Sequence, residues 1–364
     1  MITEVGSEYW LQERPLDRRA DIPGWLKAWG NVALTASGRG AFSLLLDRVE
    51  NEVLTKVVLM PAYTCDSVID PFRNKGYECL FYNCDGSLGP DLSDIEAYAS
   101  KDIGIFVHMG YYGEFTNASL RDTIKRFNRS GTLVVEDVTH TLFSRNRMLD
   151  ESDYYVCSLR KWTGIASGGF LASSARAIEE RLPEFPRFYG IRREALLLKG
   201  EYIRSRDPET KEAYLAKFNE SEELLFRDSN AYRMDDESRS LLHRLDPSRL
   251  KEIRRQNSAY LLNGMKDIPG VTPVFRSYDE DSCPFFVPIF IDDYRQGWRE
   301  KLIGEKIYCP VHWPIPAAIH NERFASTISV MNRILSIPSD QRYDISDMKR
   351  VIEVLKKISE EMQA

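Results

Sequence analysis

The feature that most constrains the fold is a regular alternation of short apolar runs with helix-like segments. Four runs with the length and composition of β-strands lie at residues 56–60, 77–82, 104–108 and 132–136. The segments between them, such as 117–128, have helical spacing, and this alternation favours a mostly parallel sheet covered by helices. Ligands on such sheets bind beyond the carboxyl ends of the strands. The candidate site residues predicted at that edge are Tyr63, His108, Asp137 and Lys161.

The pattern changes along the chain and predicts three parts. They are an N-terminal arm at residues 1–30, a large α/β domain at 31–246 and a small C-terminal α+β domain at 247–364. From about residue 176 to residue 228 the pattern predicts long helices with many charged residues. Asp246 before Pro247 is typical of a helix cap and first turn, which sets the second boundary. In the small domain we expect a strand at residues 284–291 and a closing helix at 344–359.

Composition excludes several classes of protein. The chain has 364 residues and a formal net charge of −6 without a dense Lys/Arg run, which argues against nucleic-acid binding. Its six cysteines form no C-x-x-C pair and its five histidines lie far apart, so neither a disulfide framework nor a metal site is predicted. No apolar run approaches the ~18 residues of a membrane span, and the N-terminus lacks a basic and apolar leader pattern. We therefore expect a cytoplasmic protein that does not bind a membrane.

The most informative local pattern combines an acid, a serine, a lysine and a glycine pair. Asp137 ends an apolar run, Ser158 follows it with Lys161 three positions further on, and Gly168-Gly169 comes next. An amine can form a Schiff base with an aldehyde, and an acid can pair with a pyridinium nitrogen, so this order suits pyridoxal phosphate. The apolar flanks of Lys161 predict limited solvent and a lowered pKa. A strand-end acid is also common as a cap or ion-pair partner, and a single lysine is usually a surface residue.

A second pattern, Ser37-Gly38-Arg39-Gly40-Ala41, precedes a helix. Glycines allow the backbone to approach an anion, and a helix N-terminus supplies free N–H donors, so the segment suits a phosphate group. An ordinary turn into a helix is the alternative. His140 is placed to hydrogen-bond a ring oxygen of the cofactor, with a purely structural histidine as the alternative.

In combination these segments resemble the DegT/DnrJ/StrS family, the sugar aminotransferases among fold-type I pyridoxal-phosphate enzymes. Residues 60–65 (Met-Pro-Ala-Tyr-Thr-Cys) are similar to its Pro-x-x-Thr-aromatic segment, and residues 135–140 (Val-Glu-Asp-Val-Thr-His) to its Glu-Asp-x-x-Gln/His motif. Residues 158–169 resemble the segment that carries the Schiff-base lysine. Further similar segments lie at 37–41, 107–113, 230–234, 307–314 and 334–347. The resemblance runs from about residue 33 to the C-terminus and implies a mostly parallel seven-stranded sheet in the large domain.

The resemblance also implies roles for individual residues. Lys161 would form the internal aldimine and Asp137 would pair with the pyridine nitrogen. The phosphate would be held by Gly38, Arg39, Gly40 and Ser158. Cys65 stands where the family has the aromatic residue that stacks on the ring, so the prediction is that stacking either comes from Tyr63, with His140 beside it, or is weaker. The residues implied on the side of the substrate or of a partner subunit are His108, Tyr232, Arg233, His312 and Trp313.

The implied activity is transfer of an amino group from an amino acid such as glutamate to a keto-sugar, linked to a nucleotide, by a homodimer with shared active sites. Two alternatives stay open. One is a different pyridoxal-phosphate reaction on the same fold, such as elimination, decarboxylation or amino-acid cleavage, because a fold does not fix a reaction. The other is a non-catalytic member that binds a ligand.

Overall fold

A seven-stranded sheet forms the centre of the large part of the molecule. The computed structural model describes residues 4–11, 21–144, 151–178 and 181–363. The strands are β1 (Asn31–Thr35), β2 (Val57–Pro61), β3 (Glu78–Tyr82), β4 (Ile105–Met109), β5 (Leu133–Asp137), β6 (Tyr154–Cys157) and β7 (Gly169–Ser173). Their order is β1-β7-β6-β5-β4-β2-β3. Only β7 runs antiparallel to its two neighbours, and the other adjacent pairs are parallel. The mostly parallel sheet expected from the sequence is confirmed.

Helices cover both faces of this sheet, which explains why its central strands are apolar on both sides. In β4, Phe106 packs towards Ile124 and Phe127, whereas the next residue, Val107, packs into the core on the other face. The helices of this part are α1 (Gly24–Lys27), α2 (Gly38–Val49), α3 (Asp66–Asn74), α4 (Leu92–Glu96), α5 (Arg121–Arg129), α6 (Pro186–Ser205), α7 (Pro208–Arg227) and α8 (Asp236–Leu242).

Helices α6 and α7 form an antiparallel hairpin in the charged stretch that was predicted to be helical. Each helix begins with a proline, where the missing N–H costs nothing. Asp207 caps α7 by accepting a hydrogen bond from the Thr210 N–H at 2.8 Å. The hairpin contributes one wall of the cavity described below.

The C-terminal part has its own three-stranded antiparallel sheet. Its strands are β8 (Val271–Pro273), β9 (Val287–Ile291) and β10 (Ile334–Ile337), in the order β10-β9-β8. Its helices are α9 (Pro247–Met265), α10 (Arg295–Gly304), α11 (Ala325–Arg333) and α12 (Ile345–Gln363). Asp246 caps α9 as predicted, accepting from the N–H groups of Ser248 and Arg249. The division of the chain into domains at this point stays a prediction.

Two boundaries differ from those expected. The strand predicted from residue 284 begins at Val287, because the Phe285 N–H donates to the Tyr112 carbonyl of the large part at 3.1 Å. The closing helix α12 extends beyond residue 359 to Gln363.

Part of the predicted N-terminal arm is packed: Val5 bridges to Ile307 and lies in the core of the small sheet. Residues 12–20 of that arm lie outside the described residues. None of the helices in the described ranges is long and apolar enough to cross a membrane.

Candidate active site

A cavity of about 420 Å³ lies at the carboxyl edge of the large sheet. The ends of β4, β5 and β6 supply its floor, the N-terminus of α2 and the α6–α7 hairpin supply walls, and a loop of the C-terminal part reaches it. The predicted site residues that line it are Gly38, Arg39, Cys65, Asp137, His140, Ser158, Lys161, His312 and Trp313. The sheet therefore gathers residues that are far apart in sequence at the edge where parallel strands end.

The N-terminus of α2 forms a close-packed cradle with Ser158. Ser37 caps this helix by accepting the Gly40 N–H at 3.0 Å. A Cβ atom on Gly38 would lie 3.0 Å from the Ser158 Cβ, and one on Gly169 would lie 2.4 Å from the Ser37 carbonyl carbon. Glycine is needed at both positions for α2 to approach Ser158 and β7 so closely. Free N–H groups and the helix dipole make this a suitable place for an anion.

Arg39 and Gly40, the other predicted members of this segment, take different positions. Arg39 lines the cavity, but its Nη1 atom is 3.2 Å from Asp70 Oδ2 and its guanidinium lies over the ring of Phe226. Gly40 donates its N–H to the cap and does not line the cavity. Their predicted contacts with phosphate stay predictions.

Asp137 is a buried carboxylate that faces the cavity. It ends β5 and is 6% exposed. The Thr139 N–H donates to its Oδ1 atom at 2.8 Å, and no ion pair with a described residue reaches it. Burial raises the pKa of the Asp137 carboxyl to about 6, against the opposing hydrogen bonds from Thr139. Such a carboxylate would be stabilised by a cation placed in the cavity.

Lys161 lies in a short 3-10 helix (Leu159–Lys161) that follows β6. The expectation that its side chain is buried is wrong, because Lys161 is exposed. Trp162 next to it is fully buried and donates its Nε1–H to the Thr139 carbonyl at 2.7 Å. The apolar flanks of the motif are thus packed inside, while the turn directs the lysine itself into the open cavity.

Two histidines and a tryptophan form an aromatic corner beside the lysine. The rings of His140 and Trp313 stack with centroids 5.2 Å apart, and His140 Nδ1 accepts the Tyr112 N–H at 3.3 Å. Burial lowers the pKa of both His140 and His312, and the nearby charge of Lys161 lowers it further. Both imidazoles are therefore neutral at physiological pH, and one face of His140 is occupied by Trp313.

Tyr63 is fully buried behind this corner and is not among the residues that line the cavity. Its hydroxyl lies 2.9 Å from that of Tyr112 and donates to the His312 carbonyl, and its ring is 5.3 Å from Trp313. It therefore supports the loop that carries Trp313. Its predicted contact with a cofactor ring stays untested.

Three other predicted residues lie away from the cavity lining. His108 is buried between Ser152 Oγ and Asn117 Nδ2, at 3.0 and 2.9 Å. Tyr232 donates its hydroxyl to Asp228 at 2.6 Å, and Arg233 forms ion pairs with two carboxylates of its own chain, Glu184 and Asp236. Their predicted roles towards substrate or a partner subunit stay predictions.

The cavity also contains charged residues to which the sequence assigned no role. Arg160, Arg192 of α6 and Glu222 of α7 all line it. Arg160 lies between Ser158 and Lys161 in the motif, so its position in the sequence could have indicated that it lies at the site. Arg192 and Glu222 lie in a stretch with many charged residues, and only tertiary packing distinguishes them from the others.

The chain has the fold of sugar aminotransferases, and the fold-type I architecture predicted from the sequence is confirmed. Helicobacter pylori PseC, an aminotransferase involved in the biosynthesis of pseudoaminic acid, has a TM-score of 0.69 and 13% identity over 99% of this chain and 100% of that chain. S. venezuelae DesV, in complex with a ketimine intermediate, has a TM-score of 0.67 and 14% identity over 96% and 91%. DesI, in the presence of its TDP-sugar product, has a TM-score of 0.66 and 16% identity over 98% and 94%. No family model and no curated protein matches the chain in sequence.

Proposed function

We propose that this chain is a pyridoxal-phosphate-dependent aminotransferase that moves an amino group from an amino-acid donor, glutamate or a similar one, to a nucleotide-linked keto-sugar. One observation carries the proposal. A single cavity holds an accessible amine at Lys161, a buried carboxylate at Asp137 that has no cationic partner among the described residues, and an anion cradle at the N-terminus of α2.

These features fit the cofactor part by part. The cradle of Gly38 and Ser158 suits its phosphate, and Asp137 suits its ring nitrogen, whose positive charge would compensate the buried carboxylate. When bound, the cofactor supplies an aldehyde that takes up amino groups and a ring that withdraws electrons. The neutral His140, stacked on Trp313, would border the ring without competing for the Asp137 carboxylate.

The side chains have separate tasks in the reaction. Lys161 Nζ would hold the cofactor and, once the amino group of the donor has released it, would accept and return the proton that moves during transamination. Asp137 would pair with the ring nitrogen and keep it protonated. Trp313 and His312 narrow the cavity on the side of the C-terminal part, where they would exclude water and contact the substrate.

The choice of a sugar acceptor is supported by the similar solved structures, which include DesI in the presence of its TDP-sugar product. A cofactor in the amino form is supported in the same way by a sugar aminotransferase from Streptococcus pneumoniae solved in its PMP form.

We also propose a homodimer in which the segment around Arg233 completes the neighbouring site. Sedimentation at micromolar concentration would contradict the dimer if it showed only monomer.

The proposal is tested by the visible absorption spectrum of the purified protein before and after addition of glutamate. We expect an absorption band of the bound cofactor that bleaches with glutamate, and borohydride reduction should place the cofactor on the peptide of Lys161. Lys161→Ala should abolish amine exchange, whereas Lys101→Ala, which removes an exposed lysine paired with Glu78, should not. Turnover by Lys161→Ala would refute the assignment. A band that ignores glutamate would indicate another donor or another reaction, and no band after addition of pyridoxal phosphate would refute the enzyme hypothesis.

A further inference from the structure

The hairpin wall of the cavity contains two arginines held by one glutamate. Arg160, next to Lys161 in sequence, has its Nη1 atom 2.9 Å from Oε1 of Glu222. Arg192 of α6 has its Nη1 atom 2.5 Å from the same oxygen. One carboxylate oxygen therefore bridges two guanidinium groups beside the lysine.

The two arginines have hydrogen-bonding capacity that the described residues leave unused. The Nε atoms of Arg160 and Arg192 are both buried and without a hydrogen-bond partner in the described parts of the chain. Arg192 is 7% exposed, and its Nη1 atom also donates to Ser221 Oγ at 3.2 Å. A guanidinium has five N–H donors, and leaving buried donors unpaired is costly. The cluster thus combines two positive charges, the negative charge of Glu222 and spare buried donors, and a second carboxylate, Glu8, lines the same cavity.

The charges are poorly balanced as well. The charges of Arg160, Arg192 and Lys161 hold the pKa of Glu222 well below its usual range, so the carboxylate is ionised. Burial, together with repulsion from Arg160, lowers the pKa of Arg192 to about 10, although the charges of Glu222 and Glu8 oppose this shift. An additional or better-placed anion would relieve this repulsion.

The arginines are held in place more firmly than the glutamate. The guanidinium of Arg160 lies 5.6 Å from the ring centroid of Phe188, and that of Arg192 lies 5.1 Å from that of Phe218. Their side chains are 11% and 9% exposed, whereas the side chain of Glu222 is 56% exposed. Glu222 can therefore turn towards solvent while the two guanidinium groups stay where they are.

We propose that Arg160 and Arg192 form a carboxylate subsite that Glu222 fills in the ligand-free protein and vacates for the side-chain carboxylate of a dicarboxylic amino donor. The group now bound is itself a carboxylate, and planar guanidinium groups match carboxylates in two parallel hydrogen bonds. The inference rests on the proposed function, because only an amino donor brings this carboxylate next to Lys161. Glu222 then acts as an internal competitor that favours donors able to displace it.

The test is calorimetric titration of the full chain, after removal of any cofactor, with glutarate, a dicarboxylate without an amino group to react. Arg192→Gln should weaken binding by about tenfold or more, the size of a lost charge-assisted contact. Glu222→Gln should tighten it, because the competing charge is removed. Matched controls are the adjacent residues Arg193→Gln and Glu223→Gln, whose partners are Glu237 of α8 and Arg227 at the end of α7. Neither control should change the affinity.

Equal affinity in the wild type and Arg192→Gln would overturn the proposal, and so would weaker binding by Glu222→Gln. Dependence on Arg192 for inorganic phosphate but not for glutarate would overturn the assignment to a carboxylate. If Arg192→Gln fails to fold, Arg192→Lys keeps the charge without the planar fork and should still lose affinity for glutarate. Because glutarate cannot react, its binding is measured separately from catalysis. Binding that depends on Arg192 in a protein without amine exchange would retain the subsite and refute the aminotransferase. Amine exchange without Arg192-dependent binding would refute the subsite alone.

Discussion

Two carboxylates, Glu4 and Asp137, are equally buried at 6% exposure but have opposite environments. Glu4, in the packed N-terminal segment, is met by cations and hydroxyl groups from the hairpin and the C-terminal part. Its contacts are Lys199 Nζ at 2.6 Å, Lys211 Nζ at 3.0 Å, Tyr202 Oη at 2.8 Å and Tyr308 Oη at 3.1 Å. Burial alone would raise its pKa, but these partners lower the pKa of Glu4 to about 2.

Asp137 has the reverse shift, to about 6, because burial raises its pKa and the described residues supply no cation. The difference distinguishes a structural carboxylate from a functional one. Where a carboxylate only holds the fold together, the chain supplies its partners, and where it serves a ligand, the partner is left to the ligand. The following predictions test that distinction.

The largest effect is expected for Asp137→Asn on activity. Asparagine keeps the shape but cannot hold a protonated ring nitrogen, so kcat for transamination should fall by about 10²–10⁴-fold. Steady-state kinetics at saturating pyridoxal phosphate would measure this. The control is Asp122→Asn, a nearly fully exposed carboxylate on α5, which should leave kcat unchanged. Activity of Asp137→Asn near that of the wild type would remove Asp137 from the site.

Glu4→Gln should act on stability and leave kcat unchanged under folding conditions. The substitution leaves the fully buried Lys199 without its counter-ion, and breaking such a pair costs about 3–5 kcal/mol. Urea denaturation at pH 7 would measure the loss. The control Glu220→Gln removes an exposed pair with Arg187 and should cost at most about 1 kcal/mol. The depressed pKa adds a pH test: the stability that Glu4 contributes is present above about pH 4.5 and lost as pH falls towards 2. A small effect of Glu4→Gln at pH 7 would mean that Lys199 finds another partner.

The sequence predicted the strand-end wall of the cavity because parallel sheets bring the ends of strands together wherever they lie in the chain. Asp137, Ser158 and Lys161 follow from that rule. His108 shows its limit: successive side chains of a strand face opposite sides, so Met109 at the end of β4 lines the cavity and His108 points the other way. A shift of one residue along β4 therefore exchanges a side chain that lines the cavity for one on the other face of the sheet.

The hairpin wall could not be predicted in the same way. Arg192 and Glu222 are 30 residues apart and meet because α6 and α7 pack against each other and against the cavity. Their helices contain many other Arg and Glu residues with the same local pattern. Which of these face the cavity depends on the angle at which the hairpin docks, and that angle is set by long-range packing. The exposure of the Lys161 side chain was missed for a similar reason. The apolar residues beside Lys161 predict that the segment is packed, but they do not determine the direction of the short turn that carries the lysine.

In the cofactor-free protein, Asp137→Asn should increase stability although it destroys activity. Because the folded protein binds the Asp137 proton more tightly than the unfolded chain, this group stabilises below pH 3.8 and its contribution is lost as pH rises through 6. At pH 7–8 the ionised, buried carboxylate therefore costs about 3 kcal/mol, which asparagine avoids. Urea denaturation of both proteins at pH 7.5 would measure the gain, and saturating pyridoxal phosphate should reverse the order. A less stable Asp137→Asn without cofactor would mean that the carboxylate has a partner after all.

The smallest effect is expected for the double variant Glu4→Gln/Lys199→Met. Removing both buried charges leaves no unpaired ion, and methionine can occupy the space of the lysine stem between the rings of Tyr202 and Tyr214. The free energy of unfolding should return to within about 1–2 kcal/mol of the wild type, so most of the Glu4→Gln loss should disappear. Urea denaturation of the two single variants, the double variant and the wild type would complete the cycle. If the double variant were as unstable as Glu4→Gln alone, the loss would come from Lys211 and the tyrosine hydroxyls rather than from the stranded Lys199 charge.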